Sequence, residues 1–514
     1  MERYFLGIDI GTFESRGILI DESLRVAADA SVPHGMGNPQ PGWFEQEAEA
    51  VWWGDLCKLC RTLIKQSGIR PEQIACVGTS ALGTDCLPVD EQCRPLRPAI
   101  LYGIDARASE EAAWLTEHYG QARVQELFGH PICSGDTATK ILWLRRHEPE
   151  IYAKTAYFLT GSSFLTARLT GKYVIDQSLA KGSFRPLYQA DGSVNEAECG
   201  LYCRPNQIAA CAWSTDIVGT VTPEAAAQTG LAAGTPVITG TGDSTAEAIS
   251  VGLVEPGTAF FQYGSSMFYY YCTDRFVGSY VSPQGNGTLK GGKAFTVPGT
   301  YCLGDGTNAA GTLTRWVRDL LYSKELDAEK QGGENAYAVM AREAAAVPPG
   351  SDGLIMLPYI YGERSPLQDA EATGMLFGLK GTHGRAQINR AALEAVGYST
   401  YQHLLLFEEL GVPPRRIITA GGGTKNAAWM QIICDMAGMP LTIPEPFQCS
   451  SYGDAMLAAL GVGALESFAA LRAALPQGRI LQPDRKNHEF YQEHYPIFRD
   501  LYLENRDRMH RMQK

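Results

Sequence analysis

Two stretches far apart in this 514-residue chain follow one plan, and that repetition restricts the fold more than any other feature. Near the N-terminus, Tyr4 to Ile10 reads as a strand, GTFESRG as a turn of small and polar residues, and Ile18 to Ile20 as a returning strand. In mid-chain, Thr258 to Tyr263 reads as a strand, GSS as the turn, and Met267 to Tyr271 as its return. Each hairpin is followed by sheet and helix material. VWWGDLCKLCRTLI and AGTLTRWVRDLL carry apolar residues at helical spacing, while ACVGTSA and RIITAGGG read as strands ending in small residues. The pattern predicts a duplicated α/β unit with its boundary near residues 246–257. Length agrees, because 514 residues exceed what one undivided core supports.

Composition narrows the function. With 45% hydrophobic and 19% charged residues the chain is ordinary globular protein, and no long run is polar enough for disorder. A net charge of -12 argues against nucleic acid or an anionic membrane as partner, and leaves room for a small anion held by local dipoles. MERYFLGIDIG moves straight into a strand pattern with no basic leader, and no run approaches about 20 apolar residues, so a soluble cytoplasmic protein is expected. The 13 cysteines are scattered and odd in number, which points to reduced thiols. The one CxxC, Cys57 to Cys60, lies in a stretch of helical spacing and reads as a pair of core thiols, since no second pair stands nearby. The nine histidines form no ligand spacing, so no structural metal is expected.

Three glycine-rich stretches carry the candidate chemistry. In TGTGDSTAEA, residues 239–248, one acid, Asp243, sits among glycines and hydroxyl residues after the apolar run Pro236-Val237-Ile238. A strand-to-helix turn, a phosphate loop and a platform for a single carboxylate all fit. The turns GTFES and GSS are ordinary hairpin turns or paired phosphate clamps, since free amides in such turns suit phosphate oxygens. Arg16 after the first turn would add charge-assisted bonds. In ITAGGGTKNAAWMQIICDMAG, three glycines admit a flat ring or a phosphate chain and Asn426 is placed to cap a helix. A tight strand-to-helix connection explains the same residues. Neither GGGTKN nor TGTGDST completes GxGxxG, and the Walker A pattern is absent.

Together these residues resemble the FGGY carbohydrate kinases, within the larger sugar kinase, chaperone and actin group, over nearly the whole chain. DIGTFESRG resembles the family's first phosphate loop, QYGSS its second, GGGTKNAAWMQIICDMAG its adenosine segment and SYGDAMLAALGVG its closing small-residue helix. GDTATKILWLRRHE and GERSPLQDAEATGMLFGL resemble its two signatures. The resemblance implies an α/β fold of two ribonuclease H-like (actin-like ATPase) domains with a nucleotide and sugar cleft between them. Residues 1–246 would bind sugar and carry the catalytic base, and residues 247–514 would bind nucleotide and end in a helix. It also implies ATP and Mg2+ as cofactors. Asp9 matches the acid near the magnesium, which Asp243 would share; Gly11 and Thr12 match phosphate contacts, and Arg16 a cation near the transferred group. Gly264 and Ser265 match the second phosphate loop, Gly311 and Arg315 the nucleotide pocket, and Gly422, Gly423 and Asn426 the adenosine site. Asp243 aligns with the catalytic base, with Ser244 beside it on the sugar side.

An Asp of ordinary pKa, roughly 3.9, is ionised at neutral pH and can accept a hydroxyl proton. A place at the start of the apparent helix STAEAISVG should favour the ionised form further, although a simple N-cap has the same position. For the acceptor, PGWFEQEAEAVWW resembles the WxEQ segment of xylulokinases and related pentulose kinases, with Trp43 as an apolar wall and Glu45 as a hydroxyl acceptor. An exposed loop Trp before an acidic helix start is the plain alternative. Gly83 and Thr84 of SALGTDCLPVD stand where xylulokinases show the Met and His of QMHG, and LYGIDARA resembles the sugar-side WxDxR with Tyr102 for Trp and one extra residue before Asp105. The implied activity is ATP-dependent phosphorylation of a hydroxyl of a small sugar, a pentulose such as xylulose. Ribulose, gluconate, glycerol or an erythritol-like polyol are the alternatives within the family, and an actin-like or chaperone-like ATPase without a sugar is the alternative outside it. The partner implied is a small-molecule sugar; homodimers are common among related kinases, and no stretch of the sequence marks an interface for one. HEFYQEHYPIFRDLYLENRDRMHRMQK reads as an amphipathic helix packed on its own lobe.

Overall fold

The computed structural model describes residues 2–445 and 449–513. The chain divides into two compact α/β units, the first running to Val254 and taking in Lys293–Tyr301 and the stretch 450–475. Its sheet contains β1 (Tyr4–Ile10), β2 (Glu14–Asp21), β3 (Val26–Pro33), β4 (Ile74–Ala81), β5 (Ile217–Thr220) and β6 (Pro236–Ile238), in the order β5-β6-β4-β1-β2-β3, with β7 (Thr241–Gly242) also beside β4. The second unit repeats the plan with β8 (Thr258–Tyr263), β9 (Met267–Thr273), β10 (Tyr301–Gly306), β11 (Arg416–Ala420), β12 (Leu441–Ile443) and β13 (Arg479–Leu481), ordered β10-β9-β8-β11-β12-β13. In each, an antiparallel hairpin is followed by two parallel strands and closed by an antiparallel edge strand. The duplication expected from the two hairpins is therefore present strand for strand.

The first hairpin is longer than its apolar residues suggest. Its return begins at Glu14 and not at Ile18, with Asp9 opposite Arg16 and Ile10 opposite Ser15. The polar residues stay in the strand because they have partners; buried Ser15, for example, donates to Asp55 at 3.0 Å. The WWGDLCKLC stretch forms a π-helical turn, Ala48–Trp53, and then the helix Gly54–Ser67, which buries Leu56, Leu59, Cys60 and Leu63. Cys60 is buried and Cys57 half-buried, and all 13 cysteines are free thiols.

Two glycines seat a helix directly on the first sheet. Gly7 and Gly78 face each other in register on β1 and β4. A Cβ on Gly7 would lie 2.6 Å from the Ala455 amide nitrogen, and one on Gly78 3.1 Å from the Asp454 carbonyl carbon. The helix Ser450–Gly461 settles into the trough they leave, and its small residues are buried there. Gly453 performs the same service toward the helix Asp243–Ser250, where a Cβ would come within 2.6 Å of the Ala246 carbonyl carbon. In the second unit the terminal helix Arg485–Met512 buries Tyr491, Tyr495, Phe498, Leu501 and Tyr502 against that unit's core. No helix among the described residues is long and apolar enough to cross a membrane.

Candidate active site

In the first unit, the carboxylates gather where β1, β4 and β7 end. Asp9 on β1 is in register with Ser80 on β4, which in turn is in register with Thr241 on β7. The helix Asp243–Ser250 starts directly after β7, with Gly242 as its N-cap and Asp243 as its first residue. Asp243 Oδ1 accepts the Ser244 amide at 2.6 Å, and Asp9 Oδ1 accepts the Ser80 hydroxyl at 2.8 Å. Burial, and then the charge of Asp243, push Asp9 up to about 7, against the pull of Ser80 and Arg16. Burial also raises Asp243, with the Ser244 amide and Lys293 acting the other way. The helix start was expected to make Asp243 easier to ionise; loss of water around the carboxylate outweighs that effect.

Two carboxylates that raise the cost of each other's charge are a fit for a hard divalent cation. Mg2+ commonly takes only one or two protein carboxylates and fills the rest of its shell with water and phosphate oxygens. Asp9 and Asp243 suit that role. Among the described residues no group of three or more acids, histidines and cysteines forms a closed metal cage.

Gly83 lies beside this end of the sheet, 3.7 Å by its Cα from where a Gly242 Cβ would be, and Thr84 follows it. The Thr84 carbonyl accepts the buried Lys140 ammonium at 2.6 Å, which also donates to Gly135 O at 2.9 Å. The first glycine turn is tied to the WFEQ segment: Gln46 Nε2 donates to Thr12 O at 2.9 Å, while Thr12 Oγ1 and Tyr102 Oη are 3.2 Å apart. Gly11 N closes the turn on Glu14 O at 3.1 Å.

Trp43, Glu45 and Asp105 come together around Arg107, a residue that sequence reasoning did not single out although it ends the DAR of LYGIDARA. Arg107 donates to Asp105 Oδ2 at 2.8 Å and to Glu45 Oε1 at 2.7 Å, and lies 4.4 Å over the Trp43 ring. Both the Arg107 and Asp105 side chains are 0% exposed. Trp43 meets Trp143 edge-on at 5.2 Å, and Arg97 also pairs with Glu45. Asp105 further accepts the Phe44 amide at 2.7 Å. Glu45 and Asp105, expected to accept sugar hydroxyls, are thus engaged first with arginine. Lys140 and Trp143 were visible inside GDTATKILWLRRHE, but only packing shows which neighbours they meet.

In the second unit, a cavity of about 550 Å3 is lined by Gly264, Ser265, Gly311, Arg315, Gly422, Gly423 and Asn426, which are all seven positions assigned to nucleotide in that half of the sequence. The β8–β9 turn docks on the helix Gly311–Leu321, with Gly311 N donating to Gly264 O and Thr312 N to Ser265 O, both at 2.9 Å. A Cβ on Gly311 would collide with Gly264, and one on Gly423 would stand 2.7 Å from Tyr263 Cβ. Gly421 adopts φ +92°, a conformation that favours glycine. Asn426 accepts the Trp429 amide at 3.0 Å and so caps the helix Ala427–Ala437. Tyr263, Tyr337 and Trp429 also line the cavity, which has the size and mixed lining of a cofactor pocket.

Comparison with known proteins decides the family. The N-terminal domain of the FGGY family of carbohydrate kinases matches residues 4–250, and its C-terminal domain matches residues 263–462. The chain belongs to the FGGY family of carbohydrate kinases. It is 29% identical over 501 residues to the xylulose kinase of Escherichia coli K12, spanning 97% of this chain and 98% of that protein. It is 28% identical over 506 residues to the gluconokinase of Bacillus subtilis 168, spanning 98% and 96%. The crystal structure of xylulose kinase from Rhodospirillum rubrum superposes with a TM-score of 0.87 at 28% identity, covering 99% of this chain and 100% of that one. This FGGY kinase is thus an ATP-dependent carbohydrate kinase built of two mixed α/β domains.

Proposed function

We propose that this FGGY kinase transfers the terminal phosphoryl group of ATP to a hydroxyl of a pentulose such as xylulose, with Asp243 as the general base. The observation that carries the reading is the position of Asp243, first in its helix, directly after the Gly242 that lies against Gly83, and close enough to Asp9 for the two charges to interact. As the acceptor oxygen bonds to phosphorus, its proton passes to an Asp243 oxygen and ADP departs with the bond to its terminal oxygen broken. Ser244 holds the other Asp243 oxygen through its amide. Gly83 and Thr84 leave room for the acceptor, and the Trp43–Arg107–Trp143 stack forms a rigid wall held by Glu45 and Asp105. Mg2+, held by Asp9 and Asp243, would offset charge on the phosphates. The residues lining the second unit's cavity would hold the nucleotide, and Gly11, Thr12 and Arg16 of the first unit would serve phosphate oxygens. In this reading the first unit forms the sugar side and the second the nucleotide side, with the division expected at 246 falling instead at Val254 and residues 450–475 returning to the first unit.

The ion pairs favour a neutral acceptor over an aldonic acid. A sugar carboxylate needs a cation, and Arg97, Arg107 and Lys140 around Trp43 and Thr84 already bind carboxylates or carbonyls. Relatives named xylulose kinase and gluconokinase match the chain at 29% and 28% identity, so the choice rests on the ion pairs. The test is ADP release across a panel of ketopentoses, other ketoses, polyols and aldonic acids. A ketopentose should give the highest kcat/KM; turnover confined to aldonic acids would overturn the assignment.

A further inference from the structure

A small count of protons singles out one more residue. Ser80 Oγ lies 2.8 Å from Asp9 Oδ1 and 2.6 Å from Asp454 Oδ2. A serine hydroxyl carries one proton, and an ionised carboxylate carries none. Two contacts this short between one hydroxyl and two carboxyl groups therefore require a second proton, brought by one of the acids. Asp454 is the better holder. It is 0% exposed, and its second oxygen, Oδ1, has no hydrogen-bond partner among the described residues. An anion there would be buried with only Ser80 to offset its charge and no cation beside it, at a high cost. Asp9, although burial and the Asp243 charge raise it as well, keeps part of its surface exposed and has Arg16 opposite it in the hairpin.

We propose that Asp454 is a neutral acid that donates to Ser80, so that Ser80 donates to Asp9, and that it is a positioning residue for Asp9 in phosphoryl transfer. The direction of each bond follows. The Asp454 carboxyl proton points to Ser80 Oγ, the Ser80 proton points to Asp9 Oδ1, and Asp9 receives a donor that fixes the plane of its carboxylate. The fold keeps the three in line. Ser80 is level with Asp9 on adjacent parallel strands, and the glycine pair Gly7 and Gly78 lets the helix bearing Asp454 lie against those strands. Burial independently pushes Asp454 well above the usual carboxylate range, and the Asp9 charge acts in the same direction. Nothing in the sequence alone marks this role beyond a lone acid within the small-residue run SYGDAMLAALG.

The inference rests on Asp9 serving the reaction, and its test separates the two ideas. In Asp454→Asn the amide NH2 can replace the acid as donor to Ser80, so kcat should stay within about 3-fold of wild type. Asp454→Ala and Ser80→Ala should each lower kcat by about 10- to 100-fold with the acceptor KM little changed, because they loosen Asp9 without touching the acceptor. Asp454→Asn as damaging as Asp454→Ala would overturn the proposal, as would wild-type kcat in both alanine variants. Infrared difference spectra of wild type against Asp454→Asn, taken on unliganded protein at neutral pH, read the proton without turnover. The carbonyl stretch of a protonated carboxylic acid should be present in wild type and lost in the variant; its absence from wild type overturns the assignment. Full activity in Asp9→Asn would instead remove Asp9 from the reaction while leaving the infrared result standing.

Discussion

Substituting Ala for Gly453 places one methyl group between two backbones, and the structure sets the size of the effect. The new Cβ would lie 2.6 Å from the Ala246 carbonyl carbon, and nearer still to its oxygen, whereas ordinary contact begins at 3.4 Å. The helices Ser450–Gly461 and Asp243–Ser250 must therefore separate by at least about 0.8 Å, with no flexible side chain to absorb the change. Overpacking of this kind costs about 1–3 kcal/mol. Because the displaced helix begins with Asp243, a shift approaching 1 Å should also lower kcat by on the order of 10- to 100-fold. Urea unfolding followed by tryptophan fluorescence reads the first effect, and acceptor-dependent ADP release the second. Gly200→Ala is the control: it lies in the helix Glu196–Tyr202, its Cβ meets nothing within 4 Å, and its φ is ordinary. That change should be neutral or stabilise by about 0.5–1 kcal/mol. Wild-type unfolding and kcat in Gly453→Ala would refute the helix-seating argument.

Asp105→Asn removes one side of a fully buried pair and should destabilise the first unit by about 3–5 kcal/mol, read as a lower urea midpoint; an unchanged midpoint would contradict the burial of Arg107. Because Asp9 titrates higher in the folded protein than in the unfolded chain, the folded state holds more protons between the two values. Its contribution to unliganded stability is complete below the ordinary carboxylate pKa of 3.8 and is lost as pH rises through about 7. Wild-type Tm minus that of Asp9→Asn should accordingly fall across that window, and a rising difference would reverse the sign assigned to the site. Activity should move the other way, kcat/KM climbing with pH as Asp243, raised by burial, ionises; a profile already flat at acid pH would show a base of ordinary pKa. Gly423→Ala, with its Cβ 2.7 Å from Tyr263 Cβ, should weaken nucleotide binding and spare the first unit, which calorimetric titration with ADP would detect; unaltered affinity would place the nucleotide elsewhere.

Much of the architecture was legible because period and turn chemistry are local. The two hairpins, the helix after WW and the helix after GGG appear where apolar spacing puts them. Duplication was legible too, since a strand order repeats once its hairpins repeat. Local rules failed where a tertiary partner replaced water. Polar Ser15 and Arg16 extend β2 because they are bonded across the sheet and core, and Asp243 is harder to ionise than its helix position implies because it is buried. The seven positions lining the second cavity were reachable through motif resemblance, whereas the Arg107 knot was not. It joins residues from Trp43 to Trp143 that no spacing rule connects. The helix Ser450–Gly461 shows the same limit: its small residues announce close packing but not that they belong to the first unit.

The central claim is that Asp243 accepts the acceptor's proton during phosphoryl transfer. The most direct measurement is acceptor-dependent ADP release by Asp243→Asn beside wild type, with ATP affinity determined on the same preparations. Equal ATP affinity with a kcat reduced by about 10²- to 10⁴-fold is the predicted result. Turnover within a few-fold of wild type in Asp243→Asn would contradict the account.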